Sequence, residues 1–209
     1  MQSRQVGLVA VVFVGILAGS AVAAENLCFN GTFDHSPDPL EGWTTDYAWT
    51  KNKNYEDNRD RVSVLPLEGG RASVVRIVAA GDAGAKLDSK PIPFEMGYRY
   101  TCKFKMKTKG SNGPLRIYFA GHKWKPGIRP HDDPEMGELR TIYKSKAYTQ
   151  NHSSWKTVTL ELPGIKKMSK TAYNTMKYLR FVTLYAWTSR ELLIDDVHIT
   201  RVKDPKLEL

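Results

Sequence analysis

The sequence predicts an all-β protein, either a β-sandwich or a barrel, and three features carry that prediction. Apolar and polar side chains alternate with period two, most clearly over residues 98–107, where Tyr, Cys, Phe and Met alternate with Arg, Thr and Lys. Turn signals rich in Gly and Pro separate the alternating segments. No segment carries an amphipathic helical stripe of useful length. Many short strands with regular turns are typical of sandwiches and barrels.

Seven strands are predicted in order along the chain. The segments RVSVLPL and SVVRIVAA are short and β-branched, TVTLEL alternates like 98–107, and YLRFVTLYAW is apolar on one side and aromatic on the other. The predicted strands are 61–67, 71–80, 98–107, 115–119, 157–162, 178–187 and 192–202. No internal repeat divides them.

Length and composition restrict the class of protein. The chain has 209 residues, 41% of them hydrophobic and 25% charged, which excludes a disordered tail and a multi-span membrane protein. With 2 cysteines it cannot form a disulfide scaffold or a four-cysteine zinc site. It contains neither a P-loop motif nor a dinucleotide-binding glycine motif.

Residues 1–24 resemble a secretory signal. Arg4 precedes an apolar run, and small residues follow from Gly19 to Ala24. We expect cleavage after Ala23 or Ala24, a secreted or periplasmic location and one mature domain over residues 25–209; the alternative is an uncleaved membrane anchor.

The chain is basic, with 31 Lys and Arg against 22 Asp and Glu. An exported protein has little access to nucleic acid, so the excess indicates either a solvated basic face or attraction to acidic polymers such as uronate or sulfated glycans.

The two ends of the predicted domain carry motifs. The opening segment reads Asn30-Gly31-Thr32-Phe33-Asp34, with Gly42-Trp43 shortly after, and the closing segment reads Ile194-Asp195-Asp196-Val197. Together they resemble the carbohydrate-binding modules of the cellulose- and xylan-binding type, families four and nine. The resemblance covers residues 26–202 and implies a β-sandwich jelly roll, galactose-binding-domain-like, with its terminal strands adjacent. It also implies a non-catalytic protein that binds a polysaccharide or oligosaccharide.

The same resemblance implies a structural calcium ion between the two motifs. Carried over to this sequence, its ligands are Thr32, Gly70 and Asp195, with Asp34 as a helper. Calcium prefers such mixtures of carboxylate and carbonyl oxygens. The alternative is that Asp195 is bonded to backbone amides.

Candidate sugar-binding residues combine flat aromatic rings with hydrogen-bonding groups, because sugar rings stack on aromatic faces while their hydroxyls bind polar side chains. We expect Phe33 and Trp43 to pack in the core instead. The candidates are Tyr47, Trp49, Arg116, Tyr118, His122, Trp124, Arg180, Tyr185 and Trp187.

The two cysteines, Cys28 and Cys102, could form one disulfide in an exported protein or remain two buried thiols. The residues leave both alternatives open.

Two other classes of function stay open. Residues 121–138 contain His, Asp and Glu side chains that could act as a metal site or an acid–base pair, and residues 143–150 are faintly similar to a strand of jelly-roll alginate lyases. An enzyme of this kind, a lyase or a glycoside hydrolase, would act on an acidic glycan. The third class is a structural or protein-binding envelope domain.

Overall fold

The computed structural model describes residues 25–45, 48–49, 55–56, 59–66, 73–79, 85–110, 115–162, 168–184 and 190–207. The predicted signal, residues 1–24, lies outside them. The described ranges contain thirteen strands: β1 (Trp43–Thr44), β2 (Ala48–Trp49), β3 (Tyr55–Glu56), β4 (Val62–Pro66), β5 (Ser73–Ala79), β6 (Lys86–Ser89), β7 (Ile92–Pro93), β8 (Tyr98–Lys109), β9 (Arg116–Trp124), β10 (Leu139–Lys144), β11 (Lys156–Leu162), β12 (Tyr178–Leu184) and β13 (Arg190–Lys203). One short helix, α1 (Lys170–Thr175), begins at the Ser169 cap.

Two antiparallel sheets face each other. The six-stranded sheet has the order β1-β6-β12-β9-β10, with β7 also paired to β12, and the five-stranded sheet has the order β11-β8-β13-β5-β4. The prediction of an all-β sandwich is confirmed, and each of the seven predicted strands is present. Strands β1, β2, β3, β6, β7 and β10 escaped prediction because they are short or interrupted: β1, β2, β3 and β7 have two residues each, β7 contains a proline and β10 has a register shift against β9.

The core fills the space between the sheets. Phe104 and Met106 from one sheet and Phe119 and Phe181 from the other are buried, with the ring centroids of Phe104 and Phe181 5.1 Å apart. Phe33 is also fully buried, and its ring centroid lies 4.9 Å from that of Trp43. The expectation that these two motif aromatics pack inward is therefore confirmed.

The opening and closing motifs lie side by side. The Leu27 N–H donates to the Ile199 carbonyl at 2.7 Å, and the Val197 N–H donates to the Gly31 carbonyl at 2.8 Å. The Asn26 side chain donates to the Val197 carbonyl at 3.1 Å and accepts from the Ile199 N–H at 2.8 Å. The expected adjacency of the two ends is confirmed, and it joins residues more than 170 positions apart.

A bulge interrupts β13 beside this junction. Against β8, the register shifts between Asp195 and His198, and Asp196 adopts φ = 56°. The extra residue and the left-handed conformation bend the strand locally. Asp195 is buried, whereas Asp196 reaches Lys105 at 2.9 Å and His198 at 2.8 Å on the outer side of the sheet.

Both cysteines are free thiols in the core. Burial raises the pKa of the Cys28 thiol to about 12 and also raises that of Cys102, with the nearby Cys28 acting in the same direction. Of the two alternatives that the sequence left open, the structure therefore has two buried thiols and no disulfide between Cys28 and Cys102.

No helix among the described residues has the length and apolar character needed to cross a membrane.

Gly31→Ala should destabilise the fold by about 1–3 kcal/mol or more, the usual cost of overpacking a filled site. A Cβ at position 31 would lie 1.9 Å from the Val197 carbonyl oxygen, so the backbone of the end-to-end junction would have to move. Gly137→Ala is the matched control, since a Cβ there meets nothing within 4 Å. Urea unfolding of both variants tests this, and equal midpoints would contradict it.

Candidate functional site

The outer side of the six-stranded sheet is the candidate site. Along β9, Ile117 and Phe119 point into the main core, whereas Tyr118 and Ala120 form a separate small cluster with Ala147. Alternation therefore assigns the even-numbered residues of β9 to the outer side. We call this surface the polar face and define it by Asp88, Arg116, Tyr118, His122, Trp124, Tyr178 and Arg180.

A buried ion pair holds the middle of the polar face together. The Arg180 side chain is 1% exposed and that of Asp88 is 2% exposed. Arg180 Nη1 donates to Asp88 Oδ2 at 3.2 Å, and Arg180 Nε donates to the Ser89 carbonyl at 2.6 Å. The Lys86 ammonium reaches the same Asp88 Oδ2 at 2.7 Å. Among the described residues nothing hydrogen-bonds to the other oxygen, the buried Oδ1 of Asp88.

His122 lies on the same face and is 2% exposed. Its Nδ1 is 3.5 Å from the Thr141 hydroxyl, and its buried Nε2 has no hydrogen-bond partner within the described part of the chain. Burial, together with the positive charges of Arg180, Lys86 and Lys144, lowers the pKa of the imidazole to about 3. The ring is therefore neutral at physiological pH and offers one donor and one acceptor.

Aromatic side chains form one end of the polar face. The ring of Trp124 meets that of Tyr178 edge to face at 5.7 Å and lies 5.0 Å from the ring of His131. The Tyr178 hydroxyl donates to the His131 carbonyl at 3.3 Å, and His131 Nε2 lies 3.0 Å from both carboxylate oxygens of Glu138. These contacts fix the orientation of two half-buried aromatic rings beside His122.

The structure corrects the expectation that the candidate sugar-binding side chains are exposed. Arg116 is exposed and Trp124 is half-buried, but Tyr118, His122 and Arg180 are buried. The reason for Arg180 is that its guanidinium pairs with Asp88 and donates to the Ser89 carbonyl inside the protein. Tyr118 packs against Ala120 and Ala147. Tyr47, Tyr185 and Trp187 lie outside the described residues, as does the side chain of Trp49.

Asp88 and Tyr178 are the members of the polar face that sequence reasoning missed. Asp88 lies in a four-residue strand, KLDS, that is too short to show alternation. The sequence signal that could have marked Asp88 is its position as a single acidic residue next to Leu87, which is fully buried. Tyr178 begins β12, and its register opposite His122 depends on a pairing that no local pattern predicts.

Asp34 and Asp195, two of the predicted calcium ligands, lie close to each other at the junction of the two ends. Asp195 is 7% exposed, and burial raises the pKa of its carboxyl, with the negative charges of Asp196 and Asp34 acting in the same direction. Asp34 Oδ1 accepts the Ser73 N–H at 2.7 Å. A hard cation such as calcium would be bound by two neighbouring carboxylates and would offset the cost of burying one of them. Gly70 lies outside the described residues.

No group of three or more His, Cys, Asp or Glu side chains in the described part of the chain is placed to hold a metal ion. A cation at the junction would therefore need backbone and hydroxyl oxygens, such as those of Thr32, in addition to Asp34 and Asp195.

The segments that suggested an enzyme border the polar face: residues 121–138 include His122 and Trp124, and Ala147 of residues 143–150 packs against Tyr118. Residues 143–150 line a groove of about 640 Å³ together with residues 159–161. Beside it the Tyr148 hydroxyl lies 2.5 Å from His152 Nε2 and 3.3 Å from Gln150 Oε1. Residues 125–138 form a connection from β9 to β10 whose His131 and Glu138 bind each other.

Comparison with solved structures identifies proteins of the same fold. A family 16 carbohydrate-binding module superposes with a TM-score of 0.52 at 12% identity, covering 84% of this chain and 99% of that module. The Stig cyclase Fisc from Fischerella sp. TAU superposes with a TM-score of 0.50 at 11% identity, covering 85% of this chain and 96% of the cyclase.

The enzymatically active domain of tailspike protein 4 of bacteriophage CBA120 superposes with a TM-score of 0.55 at 13% identity, covering 85% of this chain and 21% of that one. Neither a family model nor a curated protein matches the sequence. At these identities the comparisons show a shared β-sandwich fold, which is the fold of the carbohydrate-binding modules that the end motifs resemble.

His122→Gln should flatten the pH dependence of stability between about pH 6.5 and pH 3. The folded protein holds the imidazole pKa near 3, below the 6.5 of an unperturbed histidine, so the unfolded chain takes up the proton first as the pH falls. The stability linked to His122 is present above pH 6.5 and is lost towards pH 3.

Urea unfolding of the wild type and His122→Gln at pH 7 and pH 4 measures this difference. His35→Gln is the control, because the His35 side chain is 41% exposed. An equal loss of stability for wild type and His122→Gln on acidification would contradict the assignment.

Proposed function

We propose that this protein is an exported, non-catalytic carbohydrate-binding module and that the polar face binds the sugar. The observation that carries the proposal is the pair of buried polar atoms, Asp88 Oδ1 and His122 Nε2, that find no partner among the described residues. Buried polar groups in native proteins are almost always hydrogen-bonded, so atoms of this kind mark a place where a ligand or water completes the network.

Sugar hydroxyls suit this arrangement because each one can donate and accept. The Asp88 carboxylate can accept a hydrogen bond from a sugar hydroxyl. The unpartnered nitrogen of the neutral His122 ring can accept or donate a hydrogen bond, according to its tautomer. The Arg180 guanidinium fixes Asp88 in position, so little ordering is required when a ligand binds. The half-buried rings of Trp124 and Tyr178 supply apolar surface beside these polar groups, as sugar sites require.

The fold agrees with this proposal, since it is shared with carbohydrate-binding modules. Arg116 is exposed at the start of β9, opposite Leu184, and we include it among the proposed sugar contacts. Tyr47, Trp49, Tyr185 and Trp187 remain proposed contributors to the same ligand site on the strength of the resemblance. Export rests on residues 1–24 and on the same resemblance.

We also propose that calcium binds between the two ends of the chain through Asp195 and Asp34, with Thr32 and Gly70 contributing oxygens. The ion would stabilise the fold by neutralising the buried Asp195 and would take no part in chemistry. Asp195 lies at the bulge in β13, away from Asp88 and His122 on the other sheet.

Trp124→Ala should weaken glycan binding by about 1–3 kcal/mol, the scale of a lost aromatic contact. It should also lower stability somewhat, because the ring packs on Tyr178 and His131. Arg116→Ala should weaken binding with little loss of stability, since Arg116 is exposed.

A glycan array followed by calorimetry on the mature protein tests both variants. Trp155→Ala is the matched control, because Trp155 is 40% exposed and precedes β11 on the five-stranded sheet. Affinity that falls in all three variants alike, or binding to no glycan at all, would contradict the proposal and favour a structural or protein-binding domain.

The enzymatic alternative is tested in the same samples. A lyase would use the Tyr148–His152 pair beside the groove and would release products with unsaturated ends, which absorb in the ultraviolet. The proposed module binds glycan and releases none. Turnover that Tyr148→Phe abolishes would replace the binding proposal with the enzymatic one.

Removal of calcium should lower the melting temperature. A ligand that binds only the folded state stabilises it by RT ln(1 + [L]/Kd), about 3 kcal/mol at a hundredfold excess over Kd. Asp195→Ala should abolish the response to chelator. Asp196→Asn is the control, because Asp196 faces Lys105 and His198 instead and Asn tolerates its positive φ. A melting curve that chelator leaves unchanged in the wild type would reject the site.

A further inference from the structure

The outer side of the five-stranded sheet is strongly basic, and it lies on the opposite side of the molecule's core from the polar face. Strand β8 alternates buried and solvent-facing residues over its twelve positions and contains no acidic residue. Its solvent-facing positions carry five basic side chains and one threonine: Arg99, Thr101, Lys103, Lys105, Lys107 and Lys109. We call the five basic residues, with the strands that flank them, the lysine face.

The positive charges on the lysine face form a straight row. Side chains on one side of a strand recur about every 6.8 Å, so the row from Arg99 to Lys109 extends about 34 Å. β8 is a central strand between β11 and β13, so its outward side chains stand in the middle of the sheet surface. Such a row matches an extended polyanion better than it matches a single small anion.

Neighbouring acids neutralise only part of this row. Asp196 pairs with Lys105 at 2.9 Å, Glu191 pairs with Lys109 at 3.1 Å, and Asp204 pairs with Arg99. Glu161 of β11, opposite Thr101, is exposed and its charge also acts on Arg99. For Lys103 and Lys107, no carboxylate of the described residues lies within salt-bridge distance. The two ammonium groups therefore alternate with paired ones and keep their charge for another partner.

A groove of about 330 Å³ opens at Lys103. Its walls carry the hydroxyls of Thr157 and Thr200, the imidazole of His198 and the ammonium groups of Lys103 and Lys105. The one acid in the groove, Asp196, already binds Lys105 and His198. The groove is therefore lined mainly by hydrogen-bond donors, which suits an anionic group such as a carboxylate or a sulfate.

We propose that the lysine face is a second binding surface, distinct from the polar face, and that its occupant is an acidic polysaccharide carrying carboxylate or sulfate groups. The threonine hydroxyls between the lysines suit the hydroxyls of a sugar chain. Tryptophan, tyrosine and phenylalanine are absent from the described outward positions of β8, β11 and β13, and Trp155, which is exposed just before β11, is a single ring. Single-stranded nucleic acid is typically bound by successive stacked rings, which these three strands do not offer. The proposal does not depend on which glycan the polar face binds.

The test compares two double variants with the same change in charge. Lys103→Glu/Lys107→Glu reverses the two unpaired lysines of the face. Lys170→Glu/Lys177→Glu reverses two exposed lysines in and after α1. Binding of each protein to immobilised heparin and to polygalacturonate is measured at 0.05 M and 0.5 M NaCl, with dextran as the uncharged polymer.

The proposal predicts that wild type and the α1 variant bind at least one of the two acidic polymers at low salt. It predicts that Lys103→Glu/Lys107→Glu weakens that binding at least tenfold and that 0.5 M NaCl removes it, since surface charges are screened over a few ångströms at that salt. Binding of a neutral glycan through the polar face should be unchanged in this variant, so failure of either proposal is separable from failure of the other.

Three results would overturn the proposal. The first is an equal loss of affinity in the two double variants, which would indicate net charge alone. The second is binding to neither acidic polymer at 0.05 M NaCl. The third is tighter binding to single-stranded DNA or to phosphatidylserine vesicles than to both polysaccharides, which would assign the face to another class of partner. A melting temperature within a few degrees of wild type establishes that the variants are folded.

Discussion

The ion pair between Arg180 and Asp88 is the interaction on which the candidate site depends. A buried charge pair is costly to desolvate, and breaking it leaves an uncompensated charge in the interior. Here the pair joins β12 to β6, since Arg180 also donates to the Ser89 carbonyl. Its positive member contributes to keeping His122 neutral. One interaction thus positions a carboxylate, fixes the protonation state of an imidazole and ties two strands together.

The two sheets present different chemistry to the surroundings. The outer side of the six-stranded sheet combines buried polar atoms with half-buried aromatic rings, whereas the outer side of the five-stranded sheet carries the basic row along β8. The shared core separates them, and the contact between the first and last segments of the chain closes one edge. A sandwich of this kind allows one surface to select a sugar by its hydroxyls while the other attracts acidic polymer by charge.

Much of the fold was predictable from the sequence, because alternation over β8 and β11 and the β-branched runs of β4 and β5 reflect burial on one side. The adjacency of the ends was predictable from the paired motifs. The burial of the candidate sugar-binding residues Tyr118, His122 and Arg180 was not predictable from the sequence. Arg180 looks like a surface residue until Asp88 is placed on the neighbouring strand, and the pairing of β6 with β12 is a long-range contact that no local pattern specifies. The strands β1, β2, β3, β6 and β7 are too short to show alternation, and β10 is interrupted by a register shift.

Chemical-shift mapping tests most directly the claim that the polar face binds sugar. The isotope-labelled mature protein would be titrated with the oligosaccharide that gives the strongest signal on a glycan array. The account predicts that the largest shifts occur at Tyr118, His122, Trp124 and Tyr178, with the His122 ring remaining neutral at pH 7. Shifts confined to the five-stranded sheet around Lys103 and Trp155, or no shifts with any bound oligosaccharide, would contradict it.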